Sequence, residues 1–194
     1  MRRCQDLYEQ AKRKAWPEAI EKVLRPRVKD ALPQLACWDL KNAPFSAERF
    51  SWVVADLVAN AERELDRGRP DDCVLRLYRA VEVFQESRLG RGGIPKSSGG
   101  YDAKSLRDVV DAMPAASRAR WKTRLDQGSP IFIGAKDGWF ILHCMGDPAA
   151  PDPEPPKWSA DLQDMRNNSF AAHGHRPIAL DAARDSLQTV RDAL

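Results

Sequence analysis

FSAERFSWVVADLVANAERELDRG (residues 45–68) runs straight into RPDDCVLRLYRAVEVFQESRLG (69–90), and these two stretches decide the fold class. In the first, Trp52, Val54, Leu57, Val58, Ala61 and Leu65 recur at spacings of three and four, the period of a helix with one apolar face. Ser46 is placed to cap it, with Glu48 in the first turn, and Gly68 is placed to stop it. Pro70-Asp71 suits the first turn of a second helix, since proline has no N–H to lose there. Val74, Leu77, Tyr78, Val81, Phe84 and Leu89 then line one side, up to Gly90. Two such helices joined by so short a link form a hairpin and lie antiparallel.

Helical periodicity continues outward. Shorter helices are expected near 103–113, 115–126 and 136–146. Ile131–Ile133 is apolar but too short to choose between helix and strand. GRGGIPKSSGG (90–100) reads as a flexible loop. It carries Arg91 and Lys96 but matches no phosphate-cradling motif. GDPAAPDPEPPK (146–157) holds five of the fourteen prolines and is expected to be an irregular connector, because proline removes backbone donors and blocks helix. Trp158, Leu162, Met165 and Ser169 then share helical spacing. Leu180, Ala183, Leu187, Val190 and Leu194 form a 3-4-3-4 seam, read as core or as the lining of a dimer contact. Before residue 45, Leu7, Ala11, Ala15, Ile20 and Val23 are helix-like, interrupted by Pro17, Pro26 and Pro33.

Composition narrows the class. With 194 residues, 43% hydrophobic and 30% charged, the chain fits a globular domain of ordinary size. No apolar run approaches the roughly 20 residues of a membrane helix. MRRCQDLYEQAKRKAW (1–16) lacks the apolar centre of a secretory signal, so a cytoplasmic location is expected. Cys4, Cys37, Cys73 and Cys144 are scattered, with no C-x-x-C pair, which fits reduced, mostly buried thiols and gives no zinc site. The net charge of +3 hides a pattern: residues 1–29 carry nine basic and four acidic groups, and residues 88–124 nine and three. Two basic segments suit a polyanionic partner, although solvated helix faces would look the same.

The chemistry concentrates in MRNNSFAAHGHRP (165–177), which holds two of the three histidines, His173 and His175. Read as one helix ending at Gly174, it puts Arg166 and His173 about 20° apart around the axis and about 10 Å apart along it. One chain would not bring both to a single phosphate, whereas two chains related by a two-fold axis could. At such a helix end the negative pole of the dipole would favour the imidazolium of His173. An arginine and a titrating histidine suit phosphodiester cleavage. Arginine, asparagine and histidine are equally ordinary C-terminal capping groups, so the residues by themselves leave both readings open.

RNNSFAAHG (166–174) resembles the R-x(4–6)-H signature of HEPN domains, and here the spacing is six. RPDDCVLRLYRAVEVFQESRLG resembles the helix preceding that motif in the type III CRISPR-associated accessory ribonucleases, which join a CARF sensor to a C-terminal HEPN domain. The resemblance covers about residues 45–180. It implies an all-α, HEPN-like helical bundle acting as a homodimer: a metal-independent endoribonuclease, with no cofactor, whose composite site lies at the dimer interface. In such enzymes the ribose 2′-OH attacks the adjacent phosphate of single-stranded RNA, leaving a 2′,3′-cyclic phosphate. Carried onto this sequence, Arg166 would bind the phosphate and His173 would assist proton transfer. Asn167 would orient the site, with Asn168 or Ser169 helping. His175 is an extra candidate outside the family motif.

The expected organisation is an N-terminal helical appendage, 1–44, and a HEPN-like domain, 45–194. Residues 1–44 are too few for a CARF domain, so a CARF sensor or an antitoxin would be supplied from outside this sequence. The alternatives are a non-catalytic HEPN module for dimerisation or RNA binding, the HEPN toxin of a toxin–antitoxin pair, and a helical interaction protein whose Arg and His merely cap.

Overall fold

The first helix, α1, spans Ala47–Asp66 and ends as its sequence requires. Gly68 takes a left-handed conformation, φ 69°. Its N–H bonds the Leu65 carbonyl (2.9 Å) and the Arg69 N–H bonds that of Glu64 (2.9 Å), the paired closure that glycine makes cheap. The computed structural model describes residues 47–97, 100–127, 131–169, 174 and 176–194. The chain separates into two units, Met1–Ala43 and Pro44–Leu194, and every described residue lies in the second. The Ser46 cap, the helix-like stretch before residue 45, Cys4 and Cys37 lie outside the described residues.

Helix α2 (Pro70–Arg91) carries proline in its first turn, and α1, α5, α6 and α7 all pack against it. Enclosure explains why its buried set includes Cys73, Ala80, Val83, Gln85 and Glu86 besides the expected Val74, Leu77, Val81 and Leu89. Tyr78 and Phe84 are only partly buried. The helix does not stop at Gly90: it runs to Arg91, and Gly93 is the left-handed residue, φ 88°. There the Ile94 N–H bonds the Leu89 carbonyl (2.9 Å), and Ile94 is itself buried. In α1 the buried apolar positions include Phe50, Val53, Leu57 and Ala61, while Trp52, expected on the apolar face, is 48% exposed. One residue is about 100° of helix, which carries Trp52 off the face that meets α2.

A small antiparallel strand pair stands where a flexible loop was expected: β1 (Lys96–Ser97) pairs with β2 (Gly100–Tyr101). Tyr101 and Ile131 exchange backbone hydrogen bonds of 2.9 and 3.0 Å, so the ambiguous apolar stretch supplies an isolated bridge. The hairpin is held on α2 by Lys96, whose Nζ lies 2.6 Å from the buried Glu86 carboxylate.

Three of the remaining helices match their expected positions closely: α3 (Ala103–Ala112), α4 (Ala115–Asp126) and α5 (Ala135–Cys144). α3 is capped by the Asp102 side chain, which accepts from the Ser105 N–H. α5 is locked to α2 by Gln85, whose amide donates to the Ala135 carbonyl (2.9 Å), and to α6 by Trp139, whose indole donates to Ser159 (2.9 Å). The proline-rich connector has no helix or strand. It is fastened by Arg88, which forms a two-pronged bond to Asp147 at 2.6 and 2.9 Å, and by His143, whose Nδ1 lies 3.2 Å from the Ala150 carbonyl. The third histidine therefore has a structural partner.

Helices α6 (Lys157–Asn168) and α7 (Leu180–Ala193) complete the bundle. Ala183, Leu187 and Val190 of the terminal seam are core, whereas Leu180 is 42% exposed. The described chain is thus an all-α bundle of seven helices around α2, with one minor hairpin. Among the described residues no helix is long and apolar enough to cross a membrane.

Candidate active site at the end of α6

The helix that carries Arg166 ends at Asn168, so it does not reach His173. Ser169 turns extended, φ −77° and ψ 155°. Its hydroxyl and its N–H both bond the Arg166 carbonyl, at 2.8 and 3.3 Å. The Asn168 amide donates back to the Asp164 carbonyl (2.8 Å). Serine and asparagine compete for backbone groups in this way and favour helix ends over interiors. Four carbonyls need partners at a helix end; the Ser169 hydroxyl serves that of Arg166, and Asn168 adds a bond to a carbonyl one turn back.

The chain then returns over the end it has just made. The Gly174 N–H bonds the Ser169 carbonyl (2.9 Å) and the Arg176 N–H bonds that of Asn168 (3.3 Å), with Ser169 and Arg176 paired as a parallel bridge. Gly174 does not serve as a left-handed stop. A Cβ there would fall 1.9 Å from the Asn168 carbonyl oxygen, so the residue is glycine because backbone passes backbone. Beyond it, Ile178 is buried and its N–H reaches the Asp71 carboxylate (3.5 Å) in the first turn of α2.

Two expectations change. The 20° and 10 Å relation between Arg166 and His173 presumed a continuous helix and does not apply. The dipole argument for a charged His173 presumed that same continuous helix, which ends at Asn168. His173 and His175 themselves lie outside the described residues.

Arg166 is half-buried. Its guanidinium lies over the Tyr78 ring of α2, with Cζ 5.0 Å from the ring centroid. One terminal nitrogen donates to the Asn167 side-chain oxygen (2.8 Å). The Nε–H is buried and has no hydrogen-bond acceptor among the described residues, an arrangement that ordinarily costs stability. Most arginines of the bundle are ion-paired, including Arg69, Arg79, Arg88, Arg124 and Arg191. Arg166 has no carboxylate partner among the described residues. Asn167 and Asn168 are exposed beside it, while Ser169 is wholly buried. Ser169 and Asn168 thus shape the helix end, and Asn167 is the neighbour that touches Arg166. Tyr78 is the contact that sequence reasoning missed: its helical spacing made it look like core.

A family model for the Csm6 HEPN domain matches residues 42–194, more than three-quarters of the chain. The chain belongs to the Csm6 HEPN-domain family. No significant match was found among curated proteins or among solved structures. Membership agrees with the all-α bundle and carries a CRISPR-associated, ribonuclease-like role. Arg166 lies in the last turn of α6.

Proposed function

We propose that this Csm6-type HEPN domain is a metal-independent endoribonuclease of a prokaryotic defence system. It acts in the cytoplasm on single-stranded RNA, and its HEPN domain occupies 45–194, with 1–44 as an appendage. The observation that carries the reading is Arg166: a half-buried guanidinium with no carboxylate partner among the described residues and one unsatisfied N–H. Such a group stabilises negative charge developing on a phosphate better than one already neutralised by a carboxylate. Asn167 orients it through the bond to its terminal nitrogen. His173 transfers the proton as the ribose 2′-OH attacks the adjacent phosphorus. The P–O5′ bond breaks, leaving a 2′,3′-cyclic phosphate and a 5′-OH. Asn168 and Ser169 hold the helix end, and His175 is a secondary candidate. A homodimer brings two such ends together, and control comes from a CARF domain or an antitoxin.

The test is cleavage of single-stranded RNA by wild type, Arg166→Ala and His173→Ala, with and without EDTA. Both variants should lose at least about 10²-fold in rate, on the scale of removing a positioned acid–base or charge-stabilising group. The wild-type product should carry a cyclic phosphate and persist in EDTA. Undiminished cleavage by both variants, or activity abolished by EDTA, overturns the proposal.

A further inference from the structure

A half-buried arginine is usually fixed by a carboxylate, which also neutralises it. Arg166 is fixed differently. Its guanidinium lies against the face of Tyr78, and an aromatic face attracts a cation without cancelling its charge. Tyr78 is anchored in turn. It sits on the central helix, and Glu82, one turn further on, faces its hydroxyl. Burial first, and then the Glu82 charge and hydrogen bond, raise the tyrosine pKa, while Arg166 opposes the shift. Glu82 is itself held by Arg79 at 3.0 Å. The same Arg79 nitrogen bonds Glu86 at 3.0 Å, and Lys96 of the hairpin closes on Glu86 at 2.6 Å. A continuous polar chain therefore runs from the hairpin along α2 to the ring under Arg166.

We propose that Tyr78 is a positioning residue for Arg166: its ring, fixed by Glu82 and Arg79, holds the guanidinium in place while leaving it fully charged for the RNA phosphate. The inference rests on the reading of Arg166 as the phosphate-binding group. It accounts for an arginine that is half-buried against a ring with no carboxylate partner among the described residues. It also assigns a purpose to an ion network remote from the HEPN signature. The face does the holding, so the hydroxyl matters only through Glu82.

The experiment compares Tyr78→Phe, Tyr78→Leu, Arg166→Ala and Tyr78→Leu/Arg166→Ala by steady-state RNA cleavage and by the arginine Nε–H region of the proton–nitrogen NMR spectrum. The Arg166 signal is the one missing in Arg166→Ala. Tyr78→Phe should stay within about threefold of wild type. Tyr78→Leu should lose about 10- to 100-fold in kcat with KM little changed, the pattern of a misplaced catalytic group. The double variant should be no slower than Arg166→Ala. In the spectrum the Arg166 signal should keep its ring-shifted position in Tyr78→Phe and move in Tyr78→Leu. Tyr78→Met replaces the leucine variant if that one does not fold. Losses that add in the double variant, equal damage by Phe and Leu, or an Arg166 signal unmoved by Leu overturn the proposal. If Arg166→Ala itself cleaves normally, the nuclease reading falls, and the spectrum alone still decides the platform.

Discussion

Replacing Gly174 with alanine tests the turn on which the site depends. The added Cβ would lie 1.9 Å from the Asn168 oxygen, 2.0 Å from its carbonyl carbon and 2.6 Å from its Cα. All three are backbone atoms at the end of α6, so no side chain can swing aside. Relief to a tolerable contact of about 3 Å needs a backbone shift of roughly 1 Å, since well-packed structure yields little. The bonds at risk are Gly174 N–H to Ser169 and Arg176 N–H to Asn168. At about 0.5–1.5 kcal/mol net for each hydrogen bond, their loss costs about 1–3 kcal/mol. For a chain of this length that is a fall in Tm of about 2–12 °C. Gly68→Ala is the matched control: open space surrounds its Cβ, and only the left-handed backbone resists it, at about 1–2 kcal/mol. Thermal melting and RNA cleavage are measured on both. Gly174→Ala should be destabilised and should also lose about 10²-fold in cleavage, because it displaces the segment carrying His173. Gly68→Ala should lose stability alone. A Gly174→Ala protein melting within a degree of wild type would refute the argument from close backbone passage.

The Arg88–Asp147 clamp should make stability depend on pH. Burial opposes ionisation of Asp147, but the Arg88 bonds, the Ala149 N–H and the nearby positive charges outweigh it, holding the carboxyl below its ordinary 3.8. A carboxyl whose folded pKa is depressed stabilises the fold above its unfolded pKa, and that contribution is lost as pH falls through the folded value. In urea titrations Asp147→Asn should therefore be less stable than wild type at pH 7, with the gap closing below about pH 4. A gap of constant size would remove the clamp from the account. Cys73 should resist alkylation at pH 8 in the native protein: burial, with Arg76 opposing and Glu64 adding, raises its thiol to about 11, and the thiolate is the reactive form. Peptide mass mapping should show it modified only in denaturant. Equal labelling with and without denaturant would contradict its burial.

Much of the bundle was legible in local chemistry. Gly68 and Pro70 punctuate α1 and α2 because backbone conformation and a missing N–H act on single residues, whatever surrounds them. The periods at 103–112, 115–126 and 180–193 likewise reach the structure nearly unchanged. The misreadings share one cause: which neighbour a side chain meets depends on packing. Trp52 has the right spacing for an apolar face and lies outside it. Tyr78 has the spacing of core and packs against it, yet its ring also meets Arg166. The GRGGIPKSSGG stretch looks like a free loop until Glu86 on α2 provides an anchor for Lys96.

The sequence by itself determined that this chain is helical and that α1 and α2 are separated at Gly68 and Pro70, and it offered Arg166 as part of a stretch that resembles a HEPN signature. Tertiary structure alone decided where α6 ends. The spacing from Met165 to Gly174 is compatible with a continuing helix, although Asn168 and Ser169 favour a helix end. The helix stops because a returning strand of chain, tied to Asp71 of α2, caps its last carbonyls. The caps themselves are short-range, Gly174 to Ser169 and Arg176 to Asn168, but the tie from Ile178 to Asp71 joins residues about a hundred positions apart, and no local pattern contains it.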